Sequence, residues 1–225
     1  MITQYPHRDY RFGTNCQLNP FQKSQLVSVF QTPERAADQV LGGRRSVSRI
    51  QLEGIGAVVI KHYRRGGALG RLITKSYLKT GKTRCQIEFE LMVKARDLGV
   101  QTPEPITYAD RGHIFYHAWL VTREIEHCQS MAQLSRTNPD RTSVAMASLT
   151  RQVAILIGHR ILHADFHPGN VLIDDQDQVY IIDFDKAGTY SGSKEELKSR
   201  YRQRWCRAVQ KHSLPPVLCG FMRDA

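Results

Sequence analysis

The chain has 225 residues, of which 41% are hydrophobic and 24% are charged, with 32 Lys and Arg against 21 Asp and Glu. These proportions are typical of a globular protein with a buried core, and they exclude disordered and fibrous chains. The formal net charge of +11 and the pI near 9.6 predict affinity for a polyanion, and charge alone leaves nucleic acid, anionic lipid and phosphates open.

The first half of the chain is predicted to form a small antiparallel sheet. A polar, weakly periodic segment of about 35 residues comes first. Residues 40–62 then contain three candidate strands with a turn at Gly42 and Gly43, and two more strands follow around 106–109 and 115–122. We therefore expect five strands in this region.

One helix is predicted between these strands. Its apolar residues recur at helical spacing, and Gly99 follows them as a candidate C-cap. The apolar positions are Ile87, Leu91, Ala95 and Leu98.

Helices dominate the second half of the chain. Residues 140–157 are predicted to form one long helix, and Ser193 with Glu196 has the pattern of a capping box that opens the last one. Four apolar residues lie four apart on one face of this last helix: Leu197, Tyr201, Trp205 and Val209. Its other face is basic and carries Lys198, Arg200, Arg202, Arg204, Arg207 and Lys211.

The octapeptide HADFHPGN, residues 163–170, is the densest group of chemically active residues. Asp165 and Asn170 lie five positions apart, and Asp183 ends a later apolar strand. A strand, a tight turn and a returning strand would bring these three oxygen-bearing side chains to one end of a hairpin. Phosphoryl transfer needs such a set, because one carboxylate accepts the proton of the attacking hydroxyl while a second carboxylate and an amide oxygen hold Mg²⁺.

A metal site built on the two histidines of the octapeptide is the competing interpretation. His163 and His167 are four positions apart, but on a Pro-Gly loop rather than on a helix, where that spacing would aim both rings at one ion. We expect His163 to be structural, with its ring bonded to backbone near Asp183.

The pattern H-x-D-x-x-x-x-N followed by IIDFD resembles the catalytic and metal-binding loops of the protein-kinase-like superfamily. That resemblance implies ATP and Mg²⁺ as cofactors, Lys61 on the nucleotide phosphates, and an ion pair that fixes Lys61 to Glu88, with Glu90 as the rival partner. It also implies that Gly42 and Gly43 lie where a phosphate-covering loop belongs, although a plain hairpin turn explains these glycines as well.

Four segments carry a narrower resemblance: VVIKHYRRGGALGRL, TRCQIEFELMVKARDLGVQTPEPI, WLVTREIE and VYIIDFDKAGTYSG. They are similar to segments of the bacterial lipopolysaccharide kinases, in particular those acting on 3-deoxy-D-manno-octulosonic acid (Kdo). This resemblance implies transfer of the γ-phosphoryl group of ATP to a hydroxyl of Kdo on a lipid A precursor. Arg64 and Arg65 would then contact the anionic glycolipid through bidentate hydrogen bonds.

These observations predict an α+β fold with two protein-kinase-like lobes, a mainly β lobe over residues 1–125 and a reduced, mainly α lobe over residues 126–225. No window is long and apolar enough to span a bilayer, so the expected location is cytoplasmic. The resemblance to the lipopolysaccharide kinases implies a peripheral position on the inner face of the bacterial inner membrane. Nucleic acid is not expected as a partner.

Three other functions stay open from the sequence. A heptose kinase of the lipopolysaccharide core and a small-molecule phosphotransferase of the aminoglycoside-kinase type would share the same loops. A non-catalytic module with a kinase-like shape would lack the chemistry, and the presence of Lys61, Asp165, Asn170 and Asp183 argues against it.

Overall fold

The computed structural model describes residues 2–32, 47–63, 77–78, 81–112 and 115–222. The chain divides into two compact units, one formed by Met1–Glu90 with Glu104–Glu124 and the other by Leu91–Pro103 with Ile125–Ala225. Each unit is described separately below. None of the helices in the described ranges combines the length and apolar character that a membrane span requires.

The first unit is built mainly of strands. In chain order its elements are β1 (Thr3–His7), β2 (Tyr10–Thr14), α1 (Pro20–Gln31), β3 (Val47–Leu52), β4 (Gly56–His62), β5 (Tyr77–Leu78), the start of α2 (Arg84–Asp97), β6 (Pro105–Arg111) and β7 (Phe115–Arg123). The strands form one antiparallel sheet in the order β1-β2-β6-β7-β4-β3, and β5 pairs with β7.

This sheet is larger than the five strands expected, because the polar segment at the start of the chain folds as the β1–β2 hairpin and joins β6. β1 is an edge strand, which explains why it tolerates Pro6, since a proline has no backbone N–H to donate. The strand expected before Gly42 falls outside the described residues. β3, β4, β6 and β7 lie where the sequence predicts strands.

Helix α1 was not predicted from the sequence. Asn19 caps it through a capping box with Gln22, and Pro20 occupies its first turn. Its buried side chains join a core of aromatic and aliphatic residues in which the Phe30 and Trp119 rings stack at 4.6 Å.

Helix α2 forms at the predicted place but buries a different face from the one expected. Ile87 is 39% exposed, and the buried apolar positions are Cys85, Phe89, Met92 and Ala95. A 3.6-residue period allows two overlapping apolar stripes on this helix, and the stripe with the large Phe89 side chain is the one that packs. As a consequence Glu88 is also buried, at 1% exposure.

The second unit is mainly helical. After the end of α2 it contains β8 (Gln129–Ser130), α3 (Met131–Thr137), α4 (Pro139–Gly158), β9 (Ile161–Leu162), β10 (Val171–Ile173), β11 (Val179–Ile181), β12 (Gly188–Thr189) and α5 (Lys194–Lys211). Short antiparallel pairings form two small sheets, one of β11, β10 and β8 and the other of β12 and β9. The predicted capping box at Ser193 and Glu196 opens α5, and Leu197, Tyr201, Trp205 and Val209 are its buried residues.

Candidate active site

The β10–β11 hairpin brings two of the predicted site residues to one end. Val171 pairs with Ile181 and Ile173 with Val179, and all four side chains are buried. One residue beyond this ladder, the backbone N–H of Ile182 donates to the carbonyl oxygen of Asn170 at 3.0 Å. Asn170 therefore lies beside the residue that precedes Asp183.

Asp165 is tied to the same end of the hairpin. The Nδ2 of Asn170 donates to the backbone oxygen of Asp165 at 2.9 Å and closes the loop between them. Pro168–Asn170 form a short 3-10 turn in this loop, where the backbone N–H of Gly169 donates to Nδ1 of His167 at 3.1 Å. The structure thus brings Asp165, Asn170 and Asp183 together through the backbone and the Asn170 amide.

Asp183 has an unusual backbone conformation. Its φ of +67° places it in the left-handed region, which few residues other than glycine adopt, although aspartate tolerates it better than most. Asp183 lies two residues after the end of strand β11, and the next residue, Phe184, is buried with no exposed surface. Strained conformations of this kind are common at functional sites, where the surrounding packing maintains them.

His163 lies buried next to the loop that carries Asp165 and Asn170 and supports it. Its ring is buried and its Nε2 lies 2.9 Å from the backbone oxygen of Ile182, next to Asp183, as the sequence predicts. Burial lowers the pKa of His163 to about 4, so the ring is neutral at pH 7 and Nε2 carries the proton that it donates to Ile182. The rings of Phe184 and His163 meet edge to face at 4.8 Å.

The two histidines of the octapeptide do not form a metal site. The His163 ring bonds to Ile182 and is buried, while His167 is partly exposed and accepts from Gly169. Throughout the described ranges, no group of three or more His, Cys, Asp and Glu side chains is placed to hold a metal. Mg²⁺ needs no such group, since it keeps several waters and binds proteins through one or two carboxylates together with substrate phosphates.

The remaining predicted pair lies in the first unit. Nζ of Lys61, on β4, is 2.9 Å from Oε1 and 2.7 Å from Oε2 of Glu88. Glu90, the rival partner, lies on a more exposed part of the helix and pairs with Lys82 at 2.6 Å. The contact pattern therefore favours Glu88, because its carboxylate is almost fully buried and needs a compensating charge.

Tyr63 is a member of this cluster that the sequence reasoning missed. Its hydroxyl donates to Oε2 of Glu88, and Nζ of Lys61 lies 4.9 Å from the centre of its ring. A signal for this contact exists in the sequence, since Lys61 and Tyr63 are two residues apart and project to the same side of an extended chain.

Four predicted site residues fall outside the described residues. Gly42 and Gly43, expected over the phosphates, and Arg64 and Arg65, expected at the acceptor, keep their assignments as predictions.

Chemically, the second unit offers two carboxylates and one amide group on backbone segments that are hydrogen-bonded to one another, and the first unit offers a buried, carboxylate-paired lysine. A set of this kind can position a hydroxyl, accept its proton and supply oxygen ligands to a divalent cation, while the lysine can neutralise phosphate charge.

Residues 28–208 match the sequence model described as the lipopolysaccharide kinase (Kdo/WaaP) family. Individual relatives include the 3-deoxy-D-manno-octulosonic acid kinases of Vibrio parahaemolyticus, 33% identical over 81% of this chain and 76% of that protein, and of Vibrio vulnificus, 32% identical over 80% and 79%. The protein of the same description from Vibrio cholerae is 32% identical over 66% of each chain.

Proposed function

The chain belongs to the lipopolysaccharide kinase (Kdo/WaaP) family, and from this membership we propose that it transfers the γ-phosphoryl group of ATP to a hydroxyl of Kdo on a lipid A precursor. It is an ATP-dependent phosphotransferase of lipopolysaccharide core biosynthesis. The observation that supports the proposal is the pair of hydrogen bonds that join the backbone segments of Asp165, Asn170 and Ile182, the residue before Asp183, at one end of the β10–β11 hairpin.

The residues have distinct roles in this proposal. Asp165 accepts the proton of the attacking sugar hydroxyl, and Asn170 and Asp183 supply oxygen ligands to the Mg²⁺ that accompanies the nucleotide. Lys61 contacts the nucleotide phosphates, and Glu88 holds its ammonium group in place. Mg²⁺ would neutralise the charge that develops on the transferred phosphoryl group.

Two further segments complete the proposed substrate contacts. Gly42 and Gly43 cover the phosphates, since the absence of side chains lets backbone N–H groups approach closely. Arg64 and Arg65 contact the carboxylate of the sugar or the phosphate of the lipid, for which the planar guanidinium provides two parallel hydrogen bonds. These proposed contacts would suit an anionic glycolipid as the acceptor.

Since ATP is supplied in the cytoplasm and the proposed acceptor lies in a membrane, the proposal includes a peripheral position on the inner face of the inner membrane. Helix α5 provides a suitable surface. Four of its exposed basic residues form a row on one side of the helix, because they are spaced four, three and four positions apart. They are Arg200, Arg204, Arg207 and Lys211. The row fits the negative headgroups of a bilayer, towards which each basic side chain contributes about 1 kcal/mol.

Vesicle co-sedimentation tests this membrane surface. The double variant R204Q/R207Q should bind phosphatidylglycerol vesicles about 30-fold more weakly than the wild type, since two of these contributions are lost. The matched control is K94Q/R151Q, which removes the same charge from exposed positions outside α5 and should bind normally. Equal losses in the two variants would contradict the assignment to α5.

An acceptor panel tests the reaction itself. Kdo-lipid A precursor, heptosylated core, free sugars and aminoglycosides are each incubated with Mg²⁺ and γ-labelled ATP, and label transfer is measured. We expect transfer to the Kdo-bearing lipid. Transfer to heptose or to an aminoglycoside would instead support one of the alternative kinases, and the absence of ATP consumption with every acceptor would support a non-catalytic module.

A further inference from the structure

Strand β9 leads directly into the octapeptide, and among the residues that the structure describes only one of its edges is paired with another strand. Ile161 and Leu162 pair with Thr189 and Gly188 of β12, and the N–H of Tyr190 donates to the carbonyl oxygen of Arg160 at 2.7 Å. Backbone groups of successive residues point to opposite edges of a strand. The carbonyl of Ile161 and the N–H of His163 therefore point away from β12, into the interior.

A single side chain satisfies this second edge. The hydroxyl of Tyr201, on α5, donates to the carbonyl oxygen of Ile161 at 2.9 Å and accepts from the backbone N–H of His163, also at 2.9 Å. Tyr201 is 1% exposed, and burial raises the pKa of its hydroxyl, so it stays protonated and able to donate. The hydroxyl thus replaces a neighbouring strand at a buried position where unpaired backbone groups would be costly.

This bridge is continuous with the candidate active site. The His163 backbone bonds to Tyr201, and the His163 ring bonds to the carbonyl of Ile182, immediately before Asp183. From Ile182 the connection continues through Asn170 to the backbone of Asp165.

The Tyr201 ring makes a second contact with the loop. It meets the ring of Phe166, the residue after Asp165, edge to face at 5.1 Å. The side chain of one α5 residue thus touches the loop on both sides of Asp165.

We propose that Tyr201 is a positioning residue for phosphoryl transfer, and that its hydroxyl fixes the backbone on which Asp165 and Asp183 are placed. The inference rests on the proposed function. A displacement of about 1 Å in reacting groups can cost about 100-fold in rate, so a loop held by two fewer hydrogen bonds should turn over more slowly while it still binds nucleotide.

The test is the substitution Tyr201→Phe, which removes the hydroxyl and keeps the ring against Phe166. Under conditions where circular dichroism shows a folded protein, kcat should fall about 10- to 100-fold with the KM for ATP unchanged. The amide hydrogen of His163 should also exchange faster with solvent. Unchanged kcat, or a fall in kcat matched by an equal rise in the KM for ATP, would overturn the proposal.

The matched control is Thr142→Val. Thr142 is a buried residue of the same unit, and its hydroxyl donates at 2.7 Å to the backbone of Asn138, within the first turn of α4. This variant also loses a buried hydroxyl and should keep the wild-type kcat. A fall in kcat equal to that of Tyr201→Phe would indicate general destabilisation and would contradict a specific role.

Comparing the activity of the wild type with that of Tyr201→Phe separates this inference from the proposed function. A wild-type protein that phosphorylates no acceptor refutes the function, whereas an active wild type with an equally active Tyr201→Phe refutes only the inference. If the variant does not fold, exchange in the wild type decides. Slow exchange at His163, comparable to that of core amides, supports the bridge, and rapid exchange overturns it.

Discussion

Nζ of Lys61 lies 2.7 Å from Oε2 of Glu88, a carboxylate whose side chain is 2% exposed. A buried carboxylate without a partner is unfavourable, so each member of the pair restricts the other to one place. The ion pair thereby holds the ammonium group of Lys61 in one orientation near the end of β4. A lysine that is to contact a nucleotide phosphate needs to be held in this way.

Replacing Glu88 by Gln should raise the KM for ATP about tenfold or more, because a hydrogen bond to a charged group contributes about 1.5–3 kcal/mol. Glu90→Gln is the control, since Glu90 pairs with Lys82 on the exposed part of the helix. ATP titrations under steady-state conditions measure both variants. Equal KM values for the two variants would contradict the assignment of Glu88.

Tyr63→Phe should produce a smaller rise in the KM for ATP, because it removes one of the donors to Glu88 and leaves Lys61 in place. Tyr108→Phe is a close control. Tyr108 is buried in the same unit, and its hydroxyl has no hydrogen-bond partner in the part of the chain that the structure describes. Its loss should leave the KM unchanged and should not lower the free energy of unfolding.

Asp183→Asn should weaken the binding of Mg·ATP rather than slow the chemical step alone. The substitution keeps the size of the side chain but removes the negative charge that favours a divalent cation. Isothermal titration of the variant with ATP, with and without Mg²⁺, measures the effect. Identical affinity for Mg·ATP in the variant and the wild type would exclude the proposed metal role of Asp183.

The buried His163 should make stability depend on pH. Its folded-state pKa of about 4 lies below the value of 6.5 for an ordinary histidine, so between these values the unfolded chain binds a proton that the folded chain does not. The free energy of unfolding should therefore fall by up to about 3 kcal/mol as the pH drops from 6.5 to 4. Urea unfolding at several pH values measures this dependence.

His163→Gln should flatten the pH dependence, because the titrating group is gone. If the slope of stability against pH is the same in His163→Gln as in the wild type, the titration of His163 is not its source.

The elements that the sequence predicts well are those with strong local signals. The α5 helix begins at the expected capping box and buries the expected stripe of Leu197, Tyr201, Trp205 and Val209. The β10–β11 hairpin follows from two short apolar runs separated by polar turn residues. In both cases the pattern and the tertiary packing select the same residues.

The β1–β2 hairpin and α1 escaped prediction because their local signals are weak. β1 alternates only partly between exposed and half-buried residues and contains Pro6. α1 has Gln22 among its few buried residues, so its apolar stripe is short and interrupted. Their stability comes from packing on distant residues such as Trp119, which a local pattern does not reveal.

The contacts of Tyr201 show the same limit within the candidate site. The sequence predicts that Tyr201 lies on a buried stripe, and this is correct. Its hydrogen-bond partners, Ile161 and His163, are about 40 residues earlier in the chain and use backbone atoms, which carry no sequence signature.

The measurement that tests the central claim most directly is the turnover of Asp165→Asn with the Kdo-bearing acceptor, compared with its affinity for Mg·ATP. Loss of the base should lower kcat by about 10²- to 10⁴-fold while the affinity for Mg·ATP stays close to that of the wild type. Wild-type turnover in this variant would contradict the assignment of Asp165 as the proton acceptor.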